Sequence, residues 1–210
     1  MLPVRPPALA RLYWPGLLWR MSAKEKSLYL TFDDGPEPRV TPWVLDVLKD
    51  FRAEATFFLV GENAGRQPAL VDRIRSEGHA VGNHTHRHLN GWRTGSTEYL
   101  ADVDRAQDLL GARLFRPPYG RITRAQAASL KSHFTIVMWD VLSKDYDSRI
   151  TPAQCVRNVL GATRNGSIVV FHDSLKAEPN LRHALPAALQ EWSRAGFAFK
   201  ALPMDGSLRR

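Results

Sequence analysis

The 210-residue chain predicts an α/β barrel of about seven parallel strands with helices outside. Three observations carry that expectation. From Lys26 onward, short apolar runs alternate with amphipathic stretches, the rhythm of strands joined by helical crossovers. Seven such runs approach the number that closes a sheet on itself. The polar clusters Asp33-Asp34, His84 to His88, Arg116 to Tyr119, Asp145 and His172 all fall at or just after the end of a run. In a parallel barrel the loops at those ends gather on one face.

The elements follow in order. Residues 27–32 read as the first strand. Thr41 as N-cap and Pro42 in the first helical position open a helix to residue 51. A strand over 55–60 is stopped by Gly61. A helix over 68–77 places Leu70, Val71 and Ile74 on one face, with Gly78 as its stop. The strand over 80–83 leads into the histidines. A helix over 97–110 turns Leu100, Val103, Ala106, Leu109 and Leu110 inward. Residues 114–116 form a short strand before Pro117-Pro118-Tyr119-Gly120. Thr123 caps a helix to residue 131, and a strand follows over 134–139. Thr151-Pro152 opens a helix through 160. Residues 167–171 form a buried strand ending at His172. A helix over 181–194, with a kink at Pro186, precedes a last strand over 197–202. No linker or repeat divides the chain, so residues 26–210 are expected to form one domain, with 1–25 as an extension docked on it.

Composition narrows the function. The hydrophobic fraction, 44%, is ordinary for a globular domain. Cys155 is the single cysteine, which excludes an intrachain disulfide and a cysteine-built zinc site. The net charge of +8 suits a soluble basic surface, or attraction to an anionic polymer, cell-wall material or a membrane. No recognised nucleic-acid-binding motif is present, so nucleic acid is not an expected partner. In the extension, Tyr13, Trp14, Leu17, Leu18 and Trp19 are interrupted by four prolines and by Arg5, Arg11 and Arg20. That leaves no unbroken apolar core for a secretory signal and no stretch long enough to span a membrane. The extension is expected to wrap its own domain; peripheral contact with a membrane face is the alternative. The expected place is the cytoplasm or an association with the cell envelope.

The chemistry starts at Asp33 and Asp34. Two carboxylates beside an apolar strand are costly unless a cation or hydrogen bonds hold them. His84 and His88 are four residues apart, which on a helical turn puts both rings on one face. Asp34 with these histidines suits a divalent transition metal, zinc first, with cobalt and nickel tolerated. Three protein ligands leave positions open for water and substrate, the pattern of metal-assisted hydrolysis. By residue type alone, His172 at the end of a buried strand reads as a satisfied core histidine.

Five stretches now stand together: Thr31-Phe32-Asp33-Asp34-Gly35-Pro36, His84-Thr85 with His88, Arg116-Pro117-Pro118-Tyr119-Gly120, Trp139 through Tyr146, and Val170-Phe171-His172. In this order, over about residues 25–203, the chain resembles the polysaccharide deacetylase family, the NodB-homology domains of carbohydrate esterase family 4. The resemblance implies a distorted (β/α) barrel and an N-acetylated glycan or amino-sugar substrate, O-acetyl esters being open to the same chemistry. It implies Asp34, His84 and His88 as metal ligands and Asp33 as general base. Arg116 would hold that base by a forked contact. The Tyr119 backbone N–H would stabilise the oxyanion, and His172, oriented by Asp145, would be the general acid. Asp173 is expected to be a loop or cap residue. Trp92 and Trp139 are candidates for stacking on sugars, with core packing favoured for Trp139. The family's Asp-x-x-Asp-Trp motif reads Leu142-Ser143-Lys144-Asp145-Tyr146 here, so the first acid and the Trp are replaced. An altered groove wall is expected. The rival expectations are a non-catalytic carbohydrate-binding relative, which should lack a ligand or the base, a deacylase of small amides, and a basic adaptor for anionic polymers.

Overall fold

Strand β1 (Ser27–Asp33) is buried along its whole length, and its two faces divide the interior. Leu28, Leu30 and Phe32 join the larger core beneath the helices. Tyr29 faces the other way, into a smaller cluster with Phe58, Leu114, Val137 and Ile168 that fills the barrel. The computed structural model describes residues 3–204. The first two positions of the predicted extension and the last six of the predicted domain lie outside the described residues.

β1 pairs in parallel with β2 (Ala55–Leu59) and β7 (Ile168–His172). Beyond β2 come β3 (Ala80–Asn83), β4 (Leu114–Phe115) and β5 (Thr135–Ile136); beyond β7 comes β6 (Val141–Leu142). The order β5-β4-β3-β2-β1-β7-β6 is a curled, parallel barrel, with β8 (Ala198–Phe199) added at the start of β1. The expected strand over 134–139 is divided. Val137 N–H still bonds Phe115 of β4, but Asp140 N–H already bonds Ile168 of β7. Residues 137–140 therefore carry the chain across the barrel's seam, and the run Val-Met-Trp-Asp-Val-Leu conceals two strands in one apolar stretch.

The N-terminal segment fills the same seam. Leu18 bridges Val137, with Leu18 N–H to Ile136 O at 2.9 Å and Met138 N–H to Leu18 O at 2.7 Å. Met21 N–H reaches Gly166 O at 2.8 Å, and Leu142 N–H reaches Val4 O at 2.8 Å. Leu17 and Trp19 pack with Phe134, Met138, Trp139 and Leu142. Arg11 and Arg164 converge on the buried Asp140 carboxylate. On the short helix α1 (Ala8–Tyr13), Leu9 and Leu12 are exposed.

The helices form the outer layer. α2 (Thr41–Asp50) starts one residue earlier than expected, with Val40 rather than Thr41 at the cap position. The Thr41 hydroxyl is used elsewhere, on Asp173. The strand ends before Gly61 as expected, and Gly61 also begins a short helix, α3 (Gly61–Arg66), ahead of α4 (Pro68–Ser76). A Cβ at Gly61 would lie 2.5 Å from His86 Nδ1, so glycine is required there for close approach. In α5 (Ser96–Leu110), Tyr99, Asp102, Val103, Ala106 and Leu110 are buried. Leu109 is 49% exposed, contrary to expectation, because the inward stripe follows 99, 102, 103, 106 and 110. α6 (Arg124–Leu130) and α7 (Pro152–Ala162) open with full capping boxes, Thr123 with Gln126 and Thr151 with Gln154. α8 (Glu178–Arg194) runs through Pro186 and buries Leu181, Leu185, Leu189 and Trp192.

Candidate active site

Strand register places the chemistry at one level. Asp33 is opposite His172 on β7 and Phe58 on β2; Leu59 is opposite Asn83, and Asn83 is opposite Phe115. Asp34, His84 and Arg116 are each the next residue along, so residues far apart in sequence emerge together at the carboxyl ends of neighbouring strands.

Asp34 Oδ1 lies 3.2 Å from His88 Nε2 and 3.8 Å from His84 Nε2. The three donor atoms are mutually within 4.8 Å. Ligands held about 2.0–2.2 Å from a tetrahedral ion stand about 3.3–3.6 Å apart, so the set fits a divalent ion with little movement. The outer contacts point the same way. His84 Nδ1–H donates to Arg116 O at 2.7 Å, and His88 Nδ1 meets the Tyr119 hydroxyl at 3.1 Å. Each ring is thereby tied at Nδ1 and turns Nε2 toward Asp34, the usual support of a metal-ligating imidazole. Burial drives the His84 pKa down to about 4, aided by His88 against the pull of Asp33 and Asp34, so the ring is neutral at pH 7. Burial alone would raise the Asp34 carboxyl. The hydrogen bond from His88 and the charge of His172 outweigh it and hold the carboxyl below the ordinary range. The histidines do not share a helix face, however. They lie in the loop after β3, and convergence is achieved by left-handed backbone at Thr85 (φ 61°) and His88 (φ 57°).

Asp33 is buried beside Arg116, a fully buried guanidinium inside the barrel. Nη1 donates to Asp33 Oδ1 at 2.6 Å and to the Thr31 hydroxyl at 2.8 Å. The expected fork is replaced by a single contact, because Nε and Nη2 are given to the carbonyls of Val137 and Met138. The guanidinium also stacks 4.1 Å over Phe58. On the opposite side, His172 Nδ1 bonds Asp145 Oδ1 at 2.7 Å, while the other Asp145 oxygen accepts the His172 backbone N–H at 2.7 Å. Burial would lower the His172 pKa; Asp145, with Asp34 and Asp33, raises it to about 9. Asn180 fixes the Asp145 carbonyl at 2.9 Å.

Tyr119 lies in a 3-10 turn, Pro118–Gly120, at φ 60°. Its ring is half-exposed at the mouth, and its hydroxyl supports His88, a side-chain contact outside the expected backbone role. Asp173 is fully buried: it accepts from Gly35 N–H at 3.2 Å and Thr41 Oγ1 at 2.5 Å, so it fastens the Asp33–Gly35 turn to α2. Burial, with the nearby charges of Asp34 and Asp33, pushes its carboxyl well above the usual range against the opposing Thr41 bond. Sequence reasoning missed Asn63, whose amide donates to Asp34 O at 2.8 Å, and Asn180; nothing in their sequence neighbourhoods marks them. Thr31 was in view within its motif but had no assigned contact. A pocket of about 710 Å³ opens over the site, walled by Tyr119, Trp139, Leu142, Tyr146 and Val170. Trp139 is nearly buried, whereas Trp92 is 64% exposed and does not line the pocket.

Comparison with known proteins agrees with this geometry. Residues 20–134 match the family described as polysaccharide deacetylase. A peptidoglycan-N-acetylglucosamine deacetylase of Bacillus cereus is 38% identical over 69% of this chain, and the matched region spans 55% of that relative's length. A chitooligosaccharide deacetylase of Bradyrhizobium is 40% identical over 70% of this chain and 71% of its own. A solved peptidoglycan N-acetylglucosamine deacetylase superposes with a TM-score of 0.86 at 30% identity, covering 94% of this chain and 96% of that one. More than half of the chain matches the family, and the fold and the strand-end constellation agree with it: this chain is a member of the polysaccharide deacetylase family.

Proposed function

We propose that this chain hydrolyses the N-acetyl group of an N-acetylglucosamine-containing glycan, leaving a free amine and acetate. The observation that carries the proposal is the placement of a base pair, Asp33 with Arg116, and an acid pair, His172 with Asp145, on two sides of the Asp34-His84-His88 set. The names of the relatives support the substrate class. The three ligands suit a divalent ion, zinc first, which when bound supplies Lewis-acid polarisation of the amide carbonyl and of a water.

The chain's own residues do the rest. Arg116 occupies one oxygen of Asp33, and the carboxylate takes the proton of the water that attacks the carbonyl carbon. The Tyr119 N–H is the donor for the developing oxyanion. His172, charged at neutral pH and held at Nδ1 by Asp145, gives its proton to the nitrogen as the carbon–nitrogen bond breaks. All of the expected ligands and the base are present, which favours an enzyme over a non-catalytic binding relative. The test is acetate release from N-acetylglucosamine oligomers, with and without chelator and with zinc or cobalt restored. Release that is insensitive to chelation, or absent with every glycan after zinc loading, sinks the proposal.

A further inference from the structure

Helix α1 shows water an apolar face that the fold itself leaves uncovered. Leu9 and Leu12 are 75% and 77% exposed, and Tyr13 beside them is 57% exposed. These are three of the eight large hydrophobic side chains exposed among the described residues, gathered on one six-residue helix. Leu9 and Leu12 stand three apart and are neighbours on the helix surface. The helix is pinned elsewhere. Arg11 pairs with the buried Asp140, Ala10 and Trp14 pack on the cluster of Leu17, Trp19 and Leu130, and Val4 O accepts from Leu142 N–H at 2.8 Å. Two leucines are therefore held in water by a fastened element, the mark of a surface that meets something.

The charges around this face choose its cover. The chain carries 21 acids in 210 residues, yet residues 1–24 and 109–139 contain none. The fold brings those two stretches together. Leu17 and Trp19 pack with Ala127, Leu130 and Phe134, Leu18 bridges Val137, and the Arg124 guanidinium lies 4.3 Å over the Tyr13 ring. Lys131 stands by the following turn, its Nζ 2.5 Å from where a Cβ on Gly16 would be. A second copy of the chain would set these cations against their own images. An anionic polymer in water would meet the cations and leave the leucines wet. An anionic bilayer satisfies both, with apolar side chains in the acyl boundary, tyrosine at headgroup level and cations on the phosphates.

We propose that α1, with Tyr13, Arg124 and Lys131 around it, is a docking face that settles on the surface of an anionic phospholipid bilayer. Leu9 and Leu12 enter the acyl boundary while Arg124 and Lys131 meet the headgroup phosphates. The contact is peripheral: among the described residues, no helix is long and apolar enough to cross a membrane. None of these side chains lines the catalytic pocket, so docking stands independently of the reaction.

The test floats the purified chain with vesicles of phosphatidylcholine alone or mixed with an equal share of phosphatidylglycerol. At low salt, binding to the anionic vesicles should exceed binding to the neutral ones about tenfold or more, and it should weaken as salt is raised. Leu9→Glu/Leu12→Glu should lower binding to anionic vesicles about tenfold or more. Arg124→Ala/Lys131→Ala should lower it comparably and flatten the salt dependence. Acetate release from a soluble N-acetylglucosamine oligomer should be unchanged in both variants. Hydrogen exchange on the wild-type chain needs no variant to fold: anionic vesicles should slow exchange over residues 8–14. Equal binding to the two kinds of vesicle, binding indifferent to the leucine substitutions, or protection confined to other segments overturns the proposal. Dimerisation that disappears in Leu9→Glu/Leu12→Glu, with no vesicle binding by the wild-type chain, gives the face to a second copy and overturns it as well. Wild-type binding to dextran sulfate without binding to vesicles does the same for an anionic polymer.

Discussion

Thr31 and Asn180 illustrate how single residues prepare a reactive group without touching substrate. Thr31 shares Arg116 Nη1 with Asp33, and Asn180 holds the Asp145 carbonyl behind His172. The reactive groups themselves should respond sharply. Asp33→Asn keeps the shape but loses the proton acceptor, so kcat for acetate release should drop by about 10²–10⁴-fold with bound metal unchanged by elemental analysis. His172 gives a pH signature. Its pKa of about 9 is raised from an ordinary 6.5, so its contribution to stability is fully present below about 6.5 and is lost as pH rises through about 9. The acid form needed for catalysis disappears over the same upper range. Activity should therefore fall on an alkaline limb near pH 9, and Asp145→Asn should move that limb to lower pH in a kcat profile. A limb that stays in place would remove His172 from the role of acid.

At the scale of elements, turns carry as much of the site as strands do. Six described non-glycine residues adopt positive φ, and five of them, Asp34, Thr85, His88, Tyr119 and Lys144, lie in the loops of the site. Each costs on the order of 1 kcal/mol or more. Gly120 sits in the same turn as Tyr119, at φ 65°, with a hypothetical Cβ only 2.4 Å from the Trp139 ring. Gly120→Ala should lower stability by about 1–3 kcal/mol in urea unfolding and reduce activity, because Tyr119 and Trp139 would both shift. The N-terminal strap is an element in the same sense. Trp19 is 9% exposed and donates its indole N–H to Trp14 O. Trp19→Ala should cost about 3 kcal/mol or more in the same measurement; a change within a few tenths would mean the strap is only loosely attached.

For the molecule as a whole, metal and fold should be linked. A ligand set assembled from β1 and the loop after β3 binds an ion only when those segments are in register. Chelation should therefore lower Tm and zinc should restore it in a concentration-dependent way. Much of this was legible in the sequence. Asp33, Asp34, His84, Arg116, Asp145 and His172 sit at the ends of apolar runs, and alternation of runs with helical stretches is a local property. What was hidden is non-local or conformational. The division of residues 134–142 between β5 and β6 depends on which neighbours they bond. The histidine loop needed left-handed backbone that no side chain announces, and Leu109 was misplaced by a choice between adjacent positions on one helix. Asp173 was hidden for a further reason: its partners, Gly35 and Thr41, lie more than 130 residues away.

The strap also bears on biosynthesis. Leu18 meets Val137, Val4 meets Leu142, and Arg11 meets Asp140. Residues 4–18 thus have no docking partner along this seam until residues 137–142 have been made. Trp14, Leu17, Leu18 and Trp19 remain uncovered throughout that interval. Such widely separated contacts slow folding and prolong the exposure of adhesive surface. Those side chains can be covered along the seam only after residue 142 has been added.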